Sequence, residues 1–298
     1  MIAFNKYYNH FNLLSAILII ISLLLLIFKG LNFGIDFKGG TLIELRSVDS
    51  KIQVSSLRDK FSQMDLGDVS VKKFGNDTDY LIKFENKDNK KNVIKEIKAN
   101  LDKSFPNSYD FRRVENVGPK VSAELLKSGV IAISLSLALM LIYIWIRFEW
   151  QFSLGAILAL FHDVIVTLGV FSLFSLEINL SIVAAVLTIV GYSMNDTVVV
   201  YDRVRENLRK HRSKPIDELL DLSINETLSR TIITSVTTLL ALVSLYIFGG
   251  SVIKGFTFAM IWGVVVGTYS SIFVASPFLK YVDVKRDWNT TSAVDSTK

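Results

Sequence analysis

The sequence predicts a polytopic α-helical membrane protein with six transmembrane helices and one α+β domain inserted between the first two. Three observations carry that reading. Half of the 298 residues are hydrophobic and the mean hydropathy is +0.40. Only 20% are charged, against about 25% in a soluble domain. The charges are also bunched: residues 31–128 hold 18 Lys/Arg and 15 Asp/Glu, 33 of the 61 charged residues in about a third of the chain. This distribution excludes a single soluble domain and a disordered chain. The absence of cysteine excludes a disulfide scaffold, a thiolate metal site and a Cys nucleophile. The net charge of +5 does not point to nucleic acid, because the cations cluster beside apolar runs and not along one polar face.

A bilayer core of about 30 Å is crossed by about 20 apolar residues in a helix. Six segments meet that length: Phe11–Phe28, Gly129–Ile146, Phe152–Phe174, Ile178–Tyr201, Thr231–Phe248 and Val252–Leu279. The first is read as an uncleaved helix, since its apolar run is long for a signal peptide and Phe28-Lys29-Gly30 offers no small-residue cleavage site. Arg203, Arg205, Arg209, Lys210, Arg212 and Lys214 follow the fourth segment, and Lys280, Lys285 and Arg286 follow the sixth. The positive-inside rule then predicts that residues 1–30 supply a cytoplasmic N-terminus and the first helix. It also predicts a cytoplasmic loop at 202–229 within the 129–281 helical region, and a cytoplasmic tail at 282–298. The 31–128 domain falls on the outer side, since long domains translocate largely regardless of charge.

Within that domain, Thr41–Arg46 reads as a strand after the Gly39-Gly40 break. Val54, Leu57, Phe61 and Met64 recur at helical spacing. Val69 and Val71, then Tyr80, Ile82 and Phe84, alternate as strands do, with a hairpin turn at Gly75-Asn76-Asp77. Ile94, Ile97, Leu101 and Phe105 repeat the helical spacing, Pro106-Asn107 stops it, and Tyr109–Val114 reads as a last strand. The order β-α-β-β-α-β is the split βαβ, ferredoxin-like pattern. In the 202–229 loop, Ile216, Leu219, Leu220, Ile224 and Leu228 form an amphipathic stripe. It lies along the membrane surface or packs under the bundle as a connector. The Asn225-Glu226-Thr227 and Asn289-Thr290-Thr291 sequons fall in predicted cytoplasmic parts and carry no weight.

Ionisable residues inside the membrane cost about 2.5–3.5 kcal/mol each on insertion scales, so they are functional candidates. The third segment has His162-Asp163 near its centre; the fourth has Asn195-Asp196; the fifth begins at Arg230 and continues through Thr234, Ser235, Thr237 and Thr238. Segments four and five enter from the same side, which predicts that Asp196 and Arg230 meet. The plainer readings are a snorkelling flank for Arg230, packing hydroxyls for the Thr/Ser run and a helix-orienting pair for His162-Asp163. A lone buried carboxylate such as Asp196 has to be paired or protonated. Gly263 and Gly267 form a small-xxx-small pattern for helix packing. No P-loop, Ser/His/Asp set or metal-ligand cluster occurs in the sequence. An energised function therefore draws on an ion gradient or a partner.

Four motifs resemble the bacterial SecD/SecF family. Phe33-Gly34-Ile35-Asp36-Phe37-Lys38-Gly39-Gly40 resembles the signature that opens the family's periplasmic domain, and Val117-Gly118-Pro119-Lys120-Val121 is also typical. The run from Gly191 to Asn207, with Asn195, Asp196, Asp202 and Arg203, is similar to the family's fourth-helix motif, and Arg230–Ser235 to its fifth helix. The resemblance runs from Phe4 to Tyr281. It implies an accessory subunit of the Sec translocase in the bacterial inner membrane, paired with SecD, associated with the SecYEG translocon and acting on translocating preprotein. It implies half of an RND-superfamily bundle, no cofactor, protons as the coupling ion and no enzymatic activity. The family's transmembrane carboxylate–arginine pair carries over to Asp196 and Arg230; His162 and Asp163 match its third helix. The alternative is half of an RND-type exporter of small solutes or lipids. A solute pump wants a deep apolar pocket, and the short charged domain has few aromatics to line one.

Overall fold

A computed structural model describes residues 1–48, 53–64, 66–67, 69–74, 76–84, 93–106, 108–250, 252–282 and 284. Gly75 of the expected hairpin turn, Asn107, Lys285, Arg286 and the 289–291 sequon lie outside the described residues.

Among the described residues, six helices are long and apolar enough to cross a membrane. A 3₁₀ turn at Phe4–Tyr7 leads into α1 (Tyr8–Phe28). The other spans are α5 (Pro119–Arg147), α6 (Trp150–Leu173), α7 (Leu180–Lys210), α8 (Ile216–Phe248) and α9 (Lys254–Ser270), the last continued by a π turn (Ser271–Ala275) and α10 (Ser276–Tyr281). Burial sorts them: 56% of the apolar window is buried in α6, in α7 and in the α9–α10 span, but 11% in α1, α5 and α8. The first three are therefore the core of the bundle. The others turn bare Leu, Ile and Phe outward, as Leu135, Leu139, Ile233, Leu240 and Phe248 do.

Several helices overrun the apolar segments that announce them. Pro119 sits in the first turn of α5, where its missing N–H costs nothing. The helix thus starts about three turns before the apolar run at Gly129, and the α+β domain ends at Val117 instead of 128. Helix α7 runs on to Lys210, and α8 is unbroken from Ile216 because no Gly or Pro interrupts it before Gly249. The 202–229 segment is mostly two helix ends. Its stripe does not form a separate surface helix: Leu219, Leu220 and Ile224 are buried in the main core with Tyr8, Val204 and Leu208, so the connector reading is the correct one. The chain's start is pinned there too. Asn225 Oδ1 accepts from the Ile2 N–H at 2.8 Å, and Asp221 Oδ1 from the Asn5 N–H at 2.9 Å.

The inserted domain has strands β2 (Gly40–Ser47), β3 (Val69–Phe74), β4 (Asn76–Phe84) and β5 (Tyr109–Val117), with helices α3 (Val54–Ser62) and α4 (Val93–Ser104). The sheet order is β3-β4-β2-β5, all antiparallel. Ile43, Leu45, Tyr80 and Ile82 from the sheet bury against Leu57, Phe61, Ile97 and Leu101 from the helices.

The domain is clasped to the bundle by the segment that introduces it. Strand β1 (Asn32–Phe33) pairs in parallel with β6 (Glu177–Ile178), in the turn between α6 and α7. Gly34 N–H donates to Ile178 O at 2.8 Å. Asp36, in the short helix α2 (Ile35–Lys38), accepts from the Leu180 N–H at 2.8 Å and so satisfies a free donor in the first turn of α7. Lys83 of β4 forms an ion pair with Glu177. Gly39 and Gly40 have φ of +79° and +127°, which only glycine adopts without strain; they turn the chain from this clasp into β2.

Arg46 and Asp79 face each other across β2 and β4 in a two-pronged ion pair of 2.6 and 2.8 Å. The Arg46 hydrogen bonds hold the buried Asp79 carboxyl below the usual carboxylate range. A carboxyl whose folded pKa is depressed adds stability above its unfolded pKa of about 4, and loses it as pH falls through the folded value. Asp79→Asn is expected to lower the unfolding temperature at neutral pH and to flatten its decline between neutral and acid. Thermal melts of the detergent-solubilised chain across that range check it.

Candidate functional site

Two carboxylates lie inside the three-helix core. Asp163 of α6 is completely buried and Asp196 of α7 is 9% exposed. Among the described residues, no Lys or Arg stands within ion-pair distance of either, and hydroxyls bond both.

Asp163 Oδ1 is hydrogen-bonded to His162 Nδ1 at 2.9 Å. Its Oδ2 accepts from Ser193 Oγ of α7 at 2.5 Å and from Ser270 Oγ of α9 at 2.8 Å. His162 is 1% exposed, and its Nε2 is buried with no partner. The Tyr269 ring lies beside the imidazole, centroids 5.9 Å apart. The Tyr269 hydroxyl donates to Phe11 O at 2.8 Å and lies 2.7 Å from Ser15 Oγ on α1.

Asp196 Oδ1 accepts from Thr231 Oγ1 of α8 at 2.6 Å, and Oδ2 from Ser271 Oγ at 2.5 Å. Ser271 opens the π turn. Pro277 explains that distortion: its missing N–H and its ring disrupt the bond to the carbonyl four residues back. Ser276 Oγ donates to Ser271 O at 2.7 Å across the widened turn. Single π turns inside helices occur frequently at functional sites.

The expected Asp196–Arg230 ion pair is not formed. Arg230 is exposed and lines a cleft of about 550 Å³ with Asp202, Arg203, Glu206 and Glu226. The residue that reaches Asp196 is its neighbour Thr231. The polar run that follows also points elsewhere. Thr234, Thr237 and Thr238 donate to carbonyls of their own helix, and Ser235 pairs with Thr268. His162 and Asp163 do meet. Asp202 and Arg203 act as braces: Asp202 bonds Arg147 at 3.0 Å, and Arg203 bonds Glu226 at 2.6 Å. Gly191 and Asn195 lie one turn apart on the exposed side of α7. Sequence reasoning missed Ser193, Thr231, Ser270 and Ser271. Their signal was small hydroxyls in apolar spans, one of them three residues before Asp196.

Gly263 and Gly267 bring α9 against α7 at this level. A Cβ on Gly263 would meet Ile189 side-chain atoms at 2.3–2.8 Å; one on Gly267 would lie 2.9 Å from Ser193 Cβ and 3.2 Å from its Cα. The second contact involves backbone, which cannot rotate away. Gly267→Ala is therefore expected to part α7 from α9 and to draw Ser193 off Asp163, at a cost of about 1–3 kcal/mol. The unfolding temperature in detergent should fall accordingly.

The class of protein is thus a multi-pass helical membrane protein with two buried carboxylates in its core and an α+β domain entered through a diglycine turn. The chain belongs to the SecD/SecF family of protein-export membrane proteins. Residues 96–285 match the family described as protein export membrane protein SecD/SecF, C-terminal, and residues 24–50 match the SecD/SecF GG motif. The Protein translocase subunit SecF of Rickettsia bellii is 48% identical over 266 residues, covering 88% of this chain and 88% of the relative. That of Cereibacter sphaeroides is 46% identical over 281 residues, covering 91% and 86%. The crystal structure of SecDF from Thermus thermophilus, described as translocon-associated, superposes with a TM-score of 0.84 at 36% identity. It covers 94% of this chain, and the chain spans 38% of that one.

Proposed function

We propose that the chain is a proton-coupled subunit of the bacterial Sec translocase, working with a SecD-type half and the SecYEG translocon to promote preprotein translocation across the inner membrane. The observation that carries the coupling is Asp196, a carboxylate inside the bundle held by two hydroxyls, with no cation in ion-pair contact among the described residues. Hydroxyls serve both protonation states, since each can donate to a carboxylate or accept from a carboxyl O–H. A fixed Arg contact would favour the ionised form alone. Arg230 adjoins Thr231 in sequence, so its charge biases the site without locking it. Each charge that crosses the membrane gains about 2.3 kcal/mol per 100 mV, enough to shift helix packing between two arrangements.

The SecD-type partner is supported by the bare side of α7, where Ala184, Thr188, Gly191 and Asn195 form an exposed stripe of small and polar residues. The exposed guanidinium of Arg230 on α8 is equally ill-suited to lipid. A second six-helix half would cover them. The export function fits the inserted domain, whose order and sheet arrangement favour the ferredoxin-like type. Its described interior is filled by Ile43, Leu57, Phe61 and Tyr80, which leaves no room there for the solute of an RND-type exporter. In this reading the domain is periplasmic and both termini are cytoplasmic.

Inverted vesicles carrying the complete complex test the coupling. Asp196→Asn keeps the shape and should leave assembly intact, while the increment in preprotein translocation produced by a proton gradient falls to background. Equal stimulation in wild type and variant would remove Asp196 from the mechanism.

A further inference from the structure

Two neighbouring residues of one helix each hold one of the two buried carboxylates: Ser270 binds Asp163 and Ser271 binds Asp196. Each serine also lies near a carbonyl of its own helix. Ser270 Oγ is 3.1 Å from Gly267 O, and Ser271 Oγ is 3.0 Å from Thr268 O. A hydroxyl has a single proton to donate, so each serine has two alternative hydrogen-bond states.

We infer that the Ser270–Ser271 pair couples Asp163 to Asp196, so that the protonation state of one carboxyl sets the proton affinity of the other. The inference rests on the proton-coupled reading of Asp196 and adds a second carboxyl to it.

When Asp196 is ionised, the Ser271 O–H donates to Oδ2. When Asp196 takes up a proton, its own O–H donates to Ser271 Oγ, and the Ser271 proton turns to Thr268 O. The only proton gained is the one on the carboxyl. Ser270 alternates in the same way between Asp163 Oδ2 and Gly267 O. Both alternatives use carbonyls of the last turn of α9, and Ser271 begins the π turn whose widened ladder lets that turn adjust. A change at one serine therefore moves the backbone that carries the other. Ser193 closes the loop from the other side: it bonds Asp163 and stands three residues before Asp196 on α7, one turn of the same helix. The titratable groups facing this network are His162 on α6 and Tyr269 on α9; Arg230 on α8 is turned into its own cleft and reaches Asp196 only through its charge, and α1 contributes Ser15.

The test is the titration of Asp196, followed by infrared difference spectroscopy on the complete complex in proteoliposomes. The Asp196 carboxyl band is identified by its loss in Asp196→Asn. Asp163→Asn is expected to move the Asp196 midpoint by about one pH unit, tenfold in proton affinity. With Ser270→Ala and Ser271→Ala together, the same substitution should move it by less than about a third of that. Where the alanine pair impairs assembly, Ser270→Cys with Ser271→Cys keeps the size and offers only a weak donor, and the same shrinkage is expected. An Asp163→Asn shift of equal size with and without the serine hydroxyls overturns the inference, as does no shift in the wild-type background or an Asp196 that does not titrate. Gradient-dependent translocation separates the two readings. If Asp196→Asn abolishes it while the titrations are uncoupled, the inference alone falls; if Asp196→Asn leaves it intact, the proton-coupled reading falls.

Discussion

Everything in the bundle answers to one constraint: two carboxylates sit among apolar helices and must be hydrogen-bonded there. Asp163 is completely buried, so three groups from three helices bind its carboxylate in place of solvent. Hydroxyl bonds are short-range, so α6, α7 and α9 must pack closely, and the glycines at 263 and 267 permit that approach. The three helices that supply most of the ligands are the three that are most buried. The remaining helices shield the network: α1 adds Ser15 beside Tyr269, and α8 adds Thr231 to Asp196.

The same helices reach the inserted domain. The α6–α7 turn carries β6, which pairs with the strand leading into the domain, and the first turn of α7 is satisfied by Asp36 of the diglycine motif. Helix α7 thus touches the domain at one end, carries Asp196 in its middle and is braced by Arg203 and Glu226 at the other end. A shift of α7 against α9 has a mechanical path to the domain that needs no flexible linker. The glycines at 39 and 40 fix a tight turn through their positive φ, and Gly34 lies so close to the Glu177 side chain that a Cβ would displace it. The motif reads as a docking element built from backbone approach.

The sequence disclosed the six spans and the strand–helix order because both rest on periodicity and composition, which are local. It disclosed Asp163 and Asp196 because a carboxylate in an apolar run is conspicuous. It did not disclose what binds them. Thr231 and Thr234 are the same residue type on the same helix, yet only Thr231 faces Asp196; Thr234 is turned outward and bonds to its own backbone. Choosing between them requires the rotation of α8 about its axis, which tertiary packing sets. Arg230 was the natural partner by charge, but it stands one residue, about 100° of helix, away from the contact. Helix ends were hidden for a related reason. Apolar windows mark where a bilayer would lie, while hydrogen bonding carries a helix on until glycine, proline or a cap stops it, as at Gly249.

The distribution of polar groups on the outside completes the physical picture. Hydroxyls that bond to their own helix, such as Thr237 to Ile233 and Thr188 to Ala184, are tolerated beside lipid because no donor is left free. Asn195 and Arg230 cannot be satisfied that way: an amide carries two donors and a guanidinium five. Both lie on the exposed side of the α7–α8 pair. A bundle that satisfies Asp163 with three partners but leaves these groups exposed does so selectively, and the proposed SecD-type half is what would complete that side with a polar protein face in place of lipid.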